Sequence, residues 1–83
     1  MGCLIVFQSM THAQRTASIL RNQNIRVNII RPPLEAGRGS CSAALRISEH
    51  QLNKAQALIS KLSVRPIAYY RLLPDGKLQE VFP

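Results

Sequence analysis

The sequence contains no tryptophan and only two phenylalanines and two tyrosines among its 83 residues. Proteins that bind single-stranded nucleic acid usually stack bases on aromatic side chains, so this scarcity argues against a base-stacking surface. No apolar run approaches the roughly 20 residues that a transmembrane helix needs, and the opening apolar stretch is too short for a secretory signal. We therefore expect a cytoplasmic protein with no membrane partner.

Acidic residues are also scarce, because four Asp and Glu stand against eleven Lys and Arg and the formal net charge is +7. A positive charge of this size favours anionic partners but says little about fold. Eight of the eleven cations are arginines, and they are scattered along the chain rather than gathered in one run. Scatter is typical of a solvated surface, so an anionic ligand and nucleic acid both stay open as partners.

The two cysteines occupy different sequence contexts. Cys3 opens an apolar run at residues 3–7, where we expect a buried and inert thiol. Cys41 closes residues 31–41, a connection with glycines and arginines, and this setting is typical of a functional thiol. The alternative for Cys41 is simple packing at the start of a strand. A disulfide is not expected in a cytoplasmic protein.

Apolar periodicity predicts one domain over residues 1–83, with the order strand, helix, strand, strand, helix, strand and a short returning strand. Thr11 and Ser48 are predicted to begin the helices, since each has a glutamine three residues later in capping-box spacing. This order predicts an α+β fold of the ferredoxin-like split βαββαβ type, a sandwich of an antiparallel sheet with two helices on one face and a C-terminal hairpin strand. The predicted strands are residues 3–7, 25–31, 43–47, 67–73 and 77–82.

In the ferredoxin-like topology the third strand lies between the first two and runs antiparallel to both. The connection that ends at Cys41 would then lie beside the start of the first helix, whose amide donors and positive dipole end favour a thiolate. His12 is a candidate base for Cys41, with an exposed first-turn histidine as the alternative. The expected thiolate-stabilising or anion-binding residues are Ser9, Thr11, His12, Arg31, Arg38 and Ser40, with Arg65 as a further neighbour.

Three short motifs resemble the selenium/sulfur carrier-like family: Phe7-Gln8-Ser9 before Thr11-His12-Ala13, the run Ile29-Ile30-Arg31-Pro32-Pro33, and Ser40-Cys41 followed by Ala44-Leu45. The resemblance implies a carrier rather than a turnover enzyme, with Cys41 as the catalytic residue that holds a persulfide or selenide. It implies no cofactor, and its partners would be a cysteine desulfurase-like protein or another sulfur donor or acceptor.

Two positions depart from the family pattern. Ser42 stands where a glycine usually follows the cysteine, which would narrow the backbone approach to the thiol. Asn24 stands where a glycine usually ends the first helix, a mild change because Asn also tolerates the left-handed conformation.

Two other classes of function also fit the sequence. A nucleic-acid-binding module fits the charge, although adjacent Tyr69 and Tyr70 must point to opposite faces of a strand. A regulatory homodimer is a second alternative, with Ile30, one of the tyrosines and Val81 on its surface. No metal site is expected, because the histidines and cysteines lack paired ligand spacing.

Overall fold

The computed structural model describes residues 2–32, 42–63 and 65–81. Within these ranges the chain forms an α+β fold of five strands and two α-helices. The elements are β1 (Gly2–Phe7), α1 (Met10–Asn22), β2 (Asn28–Ile30), β3 (Ala43–Ser48), α2 (Leu52–Ile59), β4 (Ala68–Leu72) and β5 (Leu78–Val81).

The strands form one sheet in the order β2-β3-β1-β4-β5, and all neighbouring pairs are antiparallel. The continuous apolar run of β1 explains its central position, since a strand that is buried on both faces needs apolar side chains on both. The predicted placement of the third strand between the first two is confirmed. This pairing fixes which loop ends meet at each end of the sheet.

Alternation along β1 divides the buried side chains between the two faces of the sheet. Cys3, Ile5 and Phe7 point to one face, where they pack with the apolar stripes of α1 and α2. Leu4 and Val6 point to the other face, and both are buried. Both α-helices of the described residues therefore lie on the first face.

The helix starts differ from the capping-box predictions. α1 is capped by Ser9, whose backbone is extended and whose Oγ accepts a hydrogen bond from the His12 N–H at 3.2 Å. Thr11 already lies inside the helix, so its predicted capping role is wrong. Ser48 makes no side-chain capping bond and precedes a 3₁₀ turn at Glu49–Gln51. α2 therefore begins only after that turn.

The end of α1 confirms the expectation for Asn24. Its φ of 64° lies in the left-handed region, and its N–H donates to the Arg21 carbonyl at 3.0 Å. The N–H of Ile25 donates to the Leu20 carbonyl at 3.0 Å, and both of these side chains are buried. This pair of bonds is a Schellman motif, which satisfies carbonyls that the helix end would otherwise leave without donors.

β4 and β5 form the predicted hairpin around Pro74-Asp75-Gly76. Gly76 has a φ of 85°, which favours glycine, and the Asp75 carboxylate accepts from the Lys77 N–H at 3.0 Å. β2 is shorter than predicted, because Ile25 and Val27 pack into the core without joining the ladder.

Candidate functional site at the start of α1

An open depression of about 610 Å³ lies where β1 leads into α1. Three chain segments meet there because β2 and β1 both end, and β3 begins, at this end of the sheet. The depression is lined by Ser9, Met10, Thr11, Ile29, Ile30, Arg31 and Ser42. It thus has a polar side at the helix start and an apolar wall at the end of β2.

Three predicted site residues line this depression, namely Ser9, Thr11 and Arg31. Cys41 lies outside the described residues, as do Arg38 and Ser40. Ser42 follows Cys41 directly in the chain, and it lies on the wall of the depression.

His12 is exposed on the first turn of α1 and does not line the depression. Its backbone makes two hydrogen bonds to side chains, because its N–H donates to Ser9 Oγ and its carbonyl accepts from the Thr16 hydroxyl at 2.9 Å. These contacts explain the local geometry of the helix start. They assign no role to the imidazole ring.

The electrostatics of the depression favour a negative charge. The first N–H groups of a helix have no intrahelical acceptor, and Ser9 Oγ accepts from only one of them, at His12. The amides of Met10 and Thr11 therefore add donors to the positive end of the helix dipole. Arg31 contributes a further positive charge, and no Asp or Glu is found among the lining residues that the structure describes.

Sequence reasoning missed the apolar part of this site. Met10 is 44% exposed, although large apolar side chains in the described residues are otherwise at least partly buried. Ile29 and Ile30 are half-buried at the end of β2. Exposure at these positions depends on how β2 packs beside α1, and no local sequence pattern reports that packing.

Arg65 is not among the residues that line the depression. It lines a separate cavity of about 160 Å³ beside the end of α2, together with Gln56 and Tyr69. Arg65 therefore does not join Ser9, Thr11 and Arg31 at the depression, and its place beside Cys41 stays a prediction. The turn before β4 does lie at this end of the sheet, since the Ile67 N–H donates to the Val6 carbonyl at 2.7 Å.

Cys3 is confirmed as a core thiol with no exposed surface. Burial raises its pKa, the charge of Glu49 raises it further, and the charge of Arg71 opposes the shift. A thiol with a raised pKa is a poor nucleophile at neutral pH. Cys3 therefore contributes packing rather than chemistry.

Several other expectations bear on the alternative functions. Tyr69 and Tyr70 point to opposite faces of the sheet as expected, but both are buried, so neither forms an exposed dimer or base-stacking surface.

In the described part of the chain, no cluster of His, Cys, Asp or Glu could hold a metal ion. None of the helices in that part is both long and apolar enough to cross a bilayer.

The fold and the depression together define a small α+β domain with a positively charged, donor-rich site at a helix start. The chain belongs to the family described as "Putative Se/S carrier protein-like", whose family model matches residues 2–71. No curated protein and no solved structure matches the chain. The family match ends within β4, so β5 lies beyond it.

Proposed function

We propose that this protein carries sulfur or selenium as a persulfide or selenide on Cys41 and transfers it to a partner protein. The observation that supports this function most directly is the position of Ser42. Ser42 lines the depression together with Arg31 and the helix-start residues, and Cys41 is its direct neighbour in the chain, which supports a position for the thiol near these groups. The family assignment points to the same chemistry.

The transfer needs no metal and no net redox change. The Cys41 thiolate attacks the outer sulfur of a donor's persulfide, the donor's S–S bond breaks, and the donor thiolate leaves with the shared electron pair. The donor thiolate takes up the proton that Cys41 lost. In the release step Cys41 takes the role of the donor. An acceptor thiolate attacks the outer sulfur of the Cys41 persulfide, and Cys41 leaves as a thiolate.

Helix-start donors assist both steps for one reason. A thiolate with a lowered pKa is present at neutral pH for the attack, and it is also a better leaving group. The amides of Met10 and Thr11 and the charge of Arg31 stabilise that thiolate. The partners implied by this chemistry are a persulfide-bearing sulfur donor, such as a cysteine desulfurase-like protein, and an acceptor.

We also propose a ferredoxin-like βαββαβ arrangement for residues 2–72, with β5 as an added hairpin strand. The sheet order β2-β3-β1-β4 and the two helices on one face support this assignment. It matters for function because the antiparallel pairing of β1 with β3 brings Ser42, the residue before β3, to the start of α1.

Alkylation of Cys41 across a pH series tests the proposed thiolate. We expect Cys41 to react with iodoacetamide at pH 7 faster than a cysteine in an unstructured peptide, with Cys3 protected by burial. An R31A variant should react more slowly, by up to roughly fivefold, since an exposed pair of opposite charges typically contributes about 0.2–1 kcal/mol. R15A is the matched control, because Arg15 is exposed on α1 and does not line the depression. A rate no higher than the peptide's would contradict the proposal.

Mass spectrometry of protein incubated with a persulfide donor tests the carrier step itself. We expect an added mass of about 32 Da on Cys41 that reductant removes, which distinguishes a persulfide from a sulfinic acid of nearly equal mass. The C41S variant is the control. Persistent absence of this species in a protein whose Cys41 alkylates rapidly would reject sulfur transfer while leaving the reactive thiol established.

A further inference from the structure

A second depression, of about 280 Å³, lies at the opposite end of the sheet from the start of α1. It occupies the place where β1 begins, β3 ends and β2 begins. Ser48, at this end of β3, is six residues from Ser42, a distance of about 20 Å along the strand. The lining residues are Gly2, Arg26, Asn28, Arg46, Ile47 and Ser48.

Strand register explains the position of Arg46 in this depression. Arg46 pairs with Leu4 of β1 and with Asn28 of β2, so its side chain lies on the sheet face opposite the helices. Gly2 allows the guanidinium to lie across the start of β1, because a Cβ on Gly2 would stand 3.2 Å from Arg46 Nε. That approach is tighter than side chains usually tolerate, so the glycine is part of the geometry.

The two arginines of the depression have no ionic partner among the residues that the structure describes. Arg71, in contrast, binds the Glu49 carboxylate at 2.7 Å, and Arg21 donates to the Val27 carbonyl at 2.8 Å. Glu80 shares the face and the row of Arg46, but it lies three strands away, about 14 Å at the usual strand spacing. No carboxylate of the described residues therefore neutralises the positive charge of Arg26 and Arg46.

The donor set of this depression matches a tetrahedral oxyanion. Two guanidinium groups supply forked N–H donors, and the Asn28 amide and the Ser48 hydroxyl supply further donors. Among the described residues, the lining holds no carboxylate that would repel an anion and no aromatic ring on which a base could stack. Its volume lies just below the range of about 300–1,000 Å³ that is usual for ligand sites, which suits a small molecule.

We propose that Arg26 and Arg46 bind the phosphate group of a small phosphorylated molecule in this depression. A polymer backbone would need cations repeated along a path, whereas these donors converge on one cavity. The site is independent of Cys41, because it lies at the other end of β1 and β3 and uses none of the residues at the start of α1.

Amide NMR titration with inorganic phosphate and with glycerol phosphate tests the site. We expect saturable shifts concentrated at Gly2, Asn28, Arg46 and Ser48. R46A should weaken binding roughly tenfold or more, since a hydrogen bond to a charged group contributes about 1.5–3 kcal/mol. R26A should weaken it in the same direction. R15A removes an equal charge from an exposed helix position and should leave the affinity within about twofold.

A glycine variant separates the geometry from the charge. G2A keeps every arginine but places a Cβ 3.2 Å from Arg46 Nε, so the guanidinium must shift by a few tenths of an ångström and we expect weaker phosphate binding without a change in net charge. Circular dichroism shows whether each variant is folded. If G2A does not fold, the affinity of R26A for phosphate tests the proposal instead.

Three outcomes would overturn the proposal. The first is the absence of saturable shifts with either phosphate probe. The second is an equal loss of affinity in R15A and R46A, which would indicate diffuse attraction to a positive protein. The third is binding to a single-stranded RNA oligonucleotide alone, with affinity that rises with length and falls steeply with salt, which would identify a backbone-binding surface instead.

Discussion

Replacement of Asn24 tests the link between the left-handed end of α1 and the stability of the domain. With a φ of 64°, this residue is in a region that costs an ordinary L-residue about 1–2 kcal/mol and that glycine enters freely. Asn is one of the few other residues that enter it routinely. We expect N24A to lower the free energy of unfolding by about 1 kcal/mol, because alanine pays the conformational cost without the local compensation that Asn provides.

The glycine variant gives the opposite comparison. N24G removes the steric cost but adds flexibility to the unfolded chain, so its stability should stay within about 0.5–1 kcal/mol of the wild type and above that of N24A. Both Schellman hydrogen bonds, from Asn24 to Arg21 and from Ile25 to Leu20, are backbone bonds that each variant retains. The expected differences thus come from the backbone conformation alone.

Urea unfolding, followed by circular dichroism, measures these differences, and the slope of the unfolding free energy against urea concentration should be the same for each variant. In thermal unfolding the Tm of N24A should be lower by roughly 4–8 °C. N53A is the matched control, because Asn53 is exposed inside α2 and alanine there should be neutral or slightly stabilising. An N24A variant as stable as the wild type, or an N24G variant less stable than N24A, would refute the reasoning.

Two further predictions concern the core and the surface. In a C41S background, the free energy of unfolding should fall between about pH 8 and 9.5, because burial raises the Cys3 pKa above its ordinary 9.0 and only the unfolded thiol ionises in that window. Below the unfolded pKa the thiol is protonated in both states, so its full contribution to stability is present there. Urea titration at each pH measures the profile, which should be flatter in a C3A/C41S variant. E49Q should cost less than about 1 kcal/mol in the same assay, because the Arg71–Glu49 side chains are 41% and 39% exposed and solvent screens their attraction; a loss of several kcal/mol would show that the pair is coupled to the core.

The order of the elements could be predicted from the sequence because the apolar runs are separated by clear breaks. The β1 run and the helical spacing of Leu52, Ala55 and Ile59 both describe faces that the structure buries. The helix starts could not be predicted as well. Ser9 and Thr11 are both good capping residues, and the choice between them depends on where the extended backbone of β1 turns.

The polar side of the candidate site was predictable from topology, since antiparallel pairing decides which ends of β1, β2 and β3 meet. Ser9, Thr11 and Arg31 do line one depression. Arg65 lines the separate cavity with Gln56 and Tyr69 instead. The direction of a side chain within one end of a sheet depends on packing that strand order does not specify.

The second depression shows why scattered arginines are hard to interpret from sequence. Arg26 and Arg46 are 20 positions apart and carry no motif, and only the pairing of β2 with β3 brings them to one cavity. The contribution of Gly2 is equally hidden, because its importance lies in the side chain that it lacks.

The length of β3 keeps the two proposed sites electrostatically separate. Arg46 lies four residues from Ser42, about 13 Å along the strand, where two unit charges interact by only about 0.3 kcal/mol in water. Salt screens even that interaction, because the Debye length is about 8 Å at physiological ionic strength. Removal of Arg46 should therefore leave the reactivity of Cys41 almost unchanged. Arg31 lines one depression, and Arg26 and Arg46 line the other, so these three charges lie at opposite ends of one small sheet. Failure of either proposal leaves the physical basis of the other intact.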